Sequence, residues 1–206
     1  MDFKGGNREN RVYVIIAVII LIVILVTVIL SSNKMTEAYV SDKALGTDWY
    51  EDFNERYIDS QFIDLEKQAS FTYRVDNSSF SSFLTVNTYK TIFMINEKDL
   101  YEKTDEAIKE YMDNRNVTLD FNSIVEGERK IANGHKTKYI RYNGTFSKNN
   151  YNYKIKVIGE TWNCDKSGTS IIAIGFSQIT NNSNKNLEYW NDITRKDGLI
   201  YNIICH

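Results

Sequence analysis

The sequence predicts an α+β fold: an antiparallel β-sheet flanked by helices, preceded by one N-terminal transmembrane helix. Three observations carry this expectation. Tyr13 to Leu30 reads YVIIAVIILIVILVTVIL, eighteen positions with no charge, no glycine and only Thr27 as a polar interruption. Stretches rich in aromatic and β-branched residues recur through the remainder, separated by short turn-prone segments. Two other segments, near 97–114 and 184–196, repeat apolar residues at helical spacing instead.

The apolar run comes first. At about 1.5 Å per residue it spans roughly 27 Å, close to the hydrocarbon thickness of a bilayer. A cleaved signal peptide is the competing reading, but its apolar region is shorter and ends in a small-x-small site. Ser31-Ser32-Asn33-Lys34-Met35 offers a poor one. Lys4, Arg8 and Arg11 precede the run, and few basic residues come closely after it. That asymmetry keeps the tail inside and exports the residues beyond the run. The expected division is a cytoplasmic tail (1–12), a transmembrane helix (13–31), a stalk (32–46) and an exported domain (47–206) in a single-pass cell-membrane protein.

Residues 35–68 mix acidic and aromatic positions without a sustained heptad, predicting a stalk to about Gly46 and then helical turns or short strands at the edge of the domain. SFTYRV (70–75) and FLTVNTY (83–89) read as strands joined by a turn at Asp76-Asn77-Ser78-Ser79. TIFMI (91–95) continues the second strand or forms a third. Asn96 is placed as an N-cap, with Glu97 and Asp99 suiting the positive end of the helix dipole. Leu100, Thr104, Ala107, Ile108, Tyr111 and Met112 then mark one face of a helix from about Glu97 to Asn114. A meander comes next: SIVEGERKIA, a turn at Asn133-Gly134, HKTKYIRYNG with a further turn at Asn143-Gly144, and YNYKIKVIGETWNC. Asp165 to Gly168 turns the chain into TSIIAIGFSQIT. Leu187, Trp190 and Ile193 mark a short helix, and LIYNIIC is a final strand.

A net charge of −2 gives no basic face for nucleic acid. No GxxxxGK[ST], HExxH or GxSxG sequence occurs. SGTS (167–170) falls at a hairpin turn, and the carboxylates Glu126/Glu128 and Asp48/Glu51/Asp52 read as solvated faces. No enzyme is therefore expected, and no cofactor. The chain holds two cysteines and two histidines. In an exported domain, Cys164 and Cys205 are expected to form a disulfide, closing a loop of about 40 residues at roughly 3–4 kcal/mol. Free buried thiols are one alternative. The other is a tetrahedral metal site with His135 and His206, although the spacing is unlike a zinc finger. Asn77, Asn116, Asn143 and Asn181 stand in Asn-x-Ser/Thr sequons and are candidate glycosylation sites, with Asn143 and Asn181 placed in turns.

The order of elements from about Ser70 to Cys205 resembles the PsbP-like superfamily, which includes a Ran-binding nuclear import factor. WNCDKSGTSIIAIGFSQIT, with GERKIANGHKT upstream, also resembles membrane-anchored archaeal proteins of this type. The resemblance implies an α/β/α sandwich and a non-enzymatic scaffold or assembly domain with an extracytoplasmic protein partner. His135, Trp162 and Trp190 are the candidate ligand-binding residues. The alternative is a metal-dependent surface protein or hydrolase using His135, Cys164, Cys205 and His206.

Overall fold

The computed structural model describes residues 13–24, 35–59, 66–75, 82–91, 93–148, 151–179 and 184–206. The chain divides into two units, Met1–Met35 and Thr36–His206. In the first, residues 13–24 form a helix, α1. The rest of the apolar run lies outside the described residues. Among the described residues, no helix is long and apolar enough to cross a membrane.

The second unit is α+β. Two-residue strands β1 (Tyr39–Val40), β2 (Tyr50–Glu51) and β3 (Tyr57–Ile58) alternate with a short helix α2 (Asp42–Leu45) and a 3-10 turn at Phe53–Glu55. Then come β4 (Glu66–Arg74), β5 (Phe83–Thr91), α3 (Glu97–Asp113), β6 (Val117–Lys130), β7 (Lys136–Lys148), β8 (Tyr151–Cys164), β9 (Thr169–Ile179) and α4 (Asn184–Thr194). A 3-10 turn at Ile200–Asn202 and β10 (Ile203–Ile204) complete the chain. Eight strands form one antiparallel sheet in the order β2-β4-β5-β9-β8-β7-β6, with β3 also paired to β4. β1 and β10 form a separate antiparallel ribbon, Tyr39 opposite Ile204 and Val40 opposite Ile203.

α3 starts where its cap predicts, because the Asn96 side chain accepts the Asp99 N–H at 3.0 Å. Leu100, Thr104, Ile108 and Met112 are the buried residues of its inner face. At Gly159 of β8, an added Cβ would meet Ile108 Cδ1 and Thr104 Cγ2, both at 2.6 Å. Gly175 of β9 is approached in the same way by Ile193 of α4. Gly175 pairs with Ile158, and side chains alternate along a strand, so Gly159 and Gly175 face opposite sides of the sheet. Each helix therefore sits over a glycine on its own face. The core under α3 joins Leu100, Ile108 and Met112 to Ile140, Tyr142, Val157 and Phe176.

The sheet departs from the expected layout at three places. Asn143-Gly144 makes no turn; β7 runs through it, and Gly144 is needed there because a Cβ would come within 2.8 Å of the Thr118 carbonyl oxygen. β6 begins at Val117, well before Ser123, and a bulge between Asp120 and Val125 absorbs the extra length. Leu199–Cys205 is mostly a 3-10 turn, and its two-residue strand joins β1 and leaves the main sheet untouched. In the segment expected to be a stalk, Ala38 and Val40 are buried. The Ala38 N–H donates to Thr88 Oγ1 at 2.8 Å and the Val40 N–H to Tyr73 Oη at 3.0 Å.

Asn116 occupies the turn after α3 with φ +56° and is exposed, and Asn143 is exposed on β7. The sequons at Asn77 and Asn181 lie outside the described residues, as does the turn at 76–79.

Candidate metal centre

Three separate parts of the chain meet at one end of the sheet. The β6–β7 turn is set by Gly134, whose φ of +88° suits a residue without a Cβ. Its N–H donates to the Ile131 carbonyl at 2.9 Å, and His135 comes directly after it. Cys164 ends β8, its carbonyl accepting the Gly168 N–H at 2.8 Å across the β8–β9 turn. Cys205 and His206 come after β10. That last segment is laid against the rest by the Ala132 N–H, which donates to the Tyr201 carbonyl at 2.9 Å, and by the Asn133 side-chain amide, which donates to the Ile203 carbonyl at 3.1 Å.

The side chains converge. Cys205 Sγ lies 2.7 Å from Cys164 Sγ, 3.3 Å from His135 Nε2 and 3.6 Å from His206 Nδ1. Cys164 Sγ lies 3.5 Å from His206 Nδ1. One ligand atom from each of the four residues falls within 4.8 Å of the others. Both thiols are free and buried. At 2.7 Å the sulfurs are not bonded, since a disulfide requires about 2.05 Å.

A tetrahedral zinc ion with Zn–S of about 2.3 Å and Zn–N of about 2.05 Å separates sulfur from nitrogen by about 3.5 Å and the two sulfurs by about 3.8 Å. Three of the four sulfur–nitrogen distances already match. The sulfur pair must open by about 1 Å, and the remaining pairs lie within 4.8 Å.

The surroundings act on Cys205 in both directions. Burial, then the hydrogen bond to Cys164, pushes the Cys205 thiol up to about 12. Without a metal, Cys205 is therefore held as the neutral thiol, and a divalent ion bound there would displace its proton. Two donors point the other way. The Asn133 side-chain amide lies 3.5 Å from Cys205 Sγ. The Trp162 indole N–H is buried without a full hydrogen bond, yet sits where it favours the Cys205 thiolate. Burial, then the neighbouring His206, holds His135 below the ordinary imidazole value, which keeps its ring neutral and able to ligate. Lys166 Nζ is 3.1 Å from His206 Nε2. Ligation through Nδ1 leaves a proton on Nε2, so the exposed Lys166 side chain must turn outward.

Of the candidate ligand residues, His135 and Trp162 lie here, together lining a polar cavity of about 290 Å³ beside the cysteines. Trp190 does not. It is buried on α4, with Lys156 Nζ 5.8 Å from its ring centre. Asn133 gives no sign of its role in the sequence, where it reads only as a turn former. The signal for the centre is compositional: the chain's two cysteines and two histidines all end at one point.

The chain matches no protein-family model, no curated protein and no solved structure.

Proposed function

We propose that the chain is a membrane-tethered extracytoplasmic domain that binds one zinc ion through His135, Cys164, Cys205 and His206, and serves as a binding or assembly scaffold without catalysis. The observation that carries the metal is the convergence of both cysteine and both histidine side chains on one point. Tetrahedral S₂N₂ donor sets suit zinc. Four protein ligands fill the tetrahedron, which is the pattern of a structural site; catalytic zinc keeps a position open. The tether rests on the apolar run from Tyr13 to Leu30 and the basic residues before it. Helices on opposite faces of an antiparallel sheet support a sandwich of the PsbP-like kind, and with it a role in holding an extracytoplasmic protein partner.

A second reading is favoured by the sulfur contact of 2.7 Å: a Cys164–Cys205 disulfide in the oxidising compartment. Elemental analysis of the full chain, purified in detergent with a thiol reductant and then dialysed against zinc, separates the two. The expected result is one zinc per chain, abolished by Cys205→Ser and weakened by His135→Ala. A chain that takes up no zinc with both thiols reduced would overturn the metal reading.

A further inference from the structure

We propose that this centre is a redox switch in which oxidation of Cys164 and Cys205 to a disulfide expels the zinc and releases His135 and His206. The proposal rests on the metal reading above. The sulfurs stand between the two states: closing from 2.7 Å to a bond takes about 0.65 Å, and opening to a zinc dithiolate takes about 1 Å. The states exclude each other, because a sulfur in a disulfide has no thiolate charge left to offer a metal.

Access is selective. Both sulfurs are buried, while the adjoining cavity of about 290 Å³, walled by Gly134, His135, Trp162 and Asn163, reaches their imidazole and indole neighbours. Neither sulfur lines that cavity, so the oxidant the proposal names is a small one, hydrogen peroxide, and not a protein. The two thiolates supply two electrons and form the S–S bond. The O–O bond of hydrogen peroxide breaks, and with two protons from solvent it leaves as two waters. Zinc departs as the divalent ion, so charge and atoms balance.

The consequence is asymmetric. Cys164 and Cys205 are linked in either state, by the metal or by the bond, so the segment after β10 stays fastened to β8. His135 is held only by the metal. Once freed, the β6–β7 turn keeps the Gly134 N–H to the Ile131 carbonyl and the Ile131 N–H to the His135 carbonyl, at 2.9 and 3.1 Å, and its ties to the last segment through Ala132 and Asn133, and loses only the link through the His135 ring. The switch therefore acts on the turn that walls the cavity.

The test uses the zinc-loaded full chain in detergent, titrated with hydrogen peroxide while a chromogenic chelator reports free zinc. One zinc should be released per peroxide consumed, with a loss of about two daltons in intact mass. Hydrogen exchange should quicken across 131–136 and stay unchanged at Ile203 and Ile204. A thiol reductant plus zinc should reverse all three. Zinc retained after one equivalent of peroxide overturns the switch alone, as does release with added oxygen on sulfur in place of the two-dalton loss. A reduced chain that binds no zinc overturns both readings.

Discussion

Glu160 lies in the middle of β8 with no exposure to solvent, and its charge is met at every lone pair that counts. Arg129 donates from Nε to Oε1 at 2.8 Å and from Nη2 to Oε2 at 2.5 Å, a two-point clamp across the sheet. Thr137 Oγ1 adds a bond to Oε1, and Arg129 Nη1 reaches the Thr194 carbonyl at the end of α4. One arginine thus fastens β6, β8 and the end of α4. Arg129→Met should destabilise the chain by about 3–5 kcal/mol, because it leaves a buried carboxylate without its cation, held by Thr137 alone. Adding Glu160→Leu should recover most of the loss, and chemical denaturation of both variants checks the pair. A single variant as stable as the parent would show that Glu160 is satisfied another way. Neither residue stands out in the sequence: GERK and GETW read as ordinary polar strand positions, and the ion pair exists only once the register of β6, β7 and β8 brings them together.

The long elements were legible because they repeat a physical signal. α3 has a cap, acidic residues in its first turn and a buried stripe, and it begins and ends within a residue of expectation. β8 and β9 were legible from their β-branched content and the Asp165–Gly168 turn between them. β1 was not, since two residues carry no periodicity, and β10 was expected only as part of a longer strand over 199–205. Asn143-Gly144 misled for a different reason. An Asn-Gly pair supplies a residue free of side-chain bulk, and here that freedom is spent on letting the Thr118 carbonyl come close, with no reversal of the chain. At the other crowded glycine, Gly159→Ala should cost about 1–3 kcal/mol, since the new methyl meets Ile108 and Thr104 on α3. A thermal melt reads it, and trimming Ile108 to Val in the same chain should return part of the stability. An unchanged melting temperature for Gly159→Ala would mean that α3 rides more loosely on the sheet than its contacts indicate.

At the level of the whole molecule, several tyrosines have been taken out of water as neutral phenols. Burial pushes Tyr73 up to about 12, offset in part by the Val40 N–H it accepts. Burial and a carboxylate acceptor raise Tyr101 beside Glu126 and Tyr142 beside Asp105. Their folded values lie above the ordinary phenol value near 10, so this stability is complete below pH 10 and drains away as pH rises toward 12. For Tyr73 alone the loss is on the order of 2 kcal/mol by the top of that window. The melting temperature should fall steeply between about pH 10 and 11.5, with the fall shallower in Tyr73→Phe; a flat profile would refute the assignment. The Cys/His cluster also belongs to this scale, which is why its members could be enumerated from composition but their meeting could not be seen: they are brought together by a turn, a strand end and a ribbon that pairs residues 39–40 with 203–204. That ribbon has a mechanical meaning. Any load arriving through the residues before Thr36 is passed first to β1, whose bonds run to β10 and to the side chains of Thr88 and Tyr73. Tension on the leading segment is thus delivered within two residues of Cys205, so that pulling on one end of the unit strains the fastening at the other.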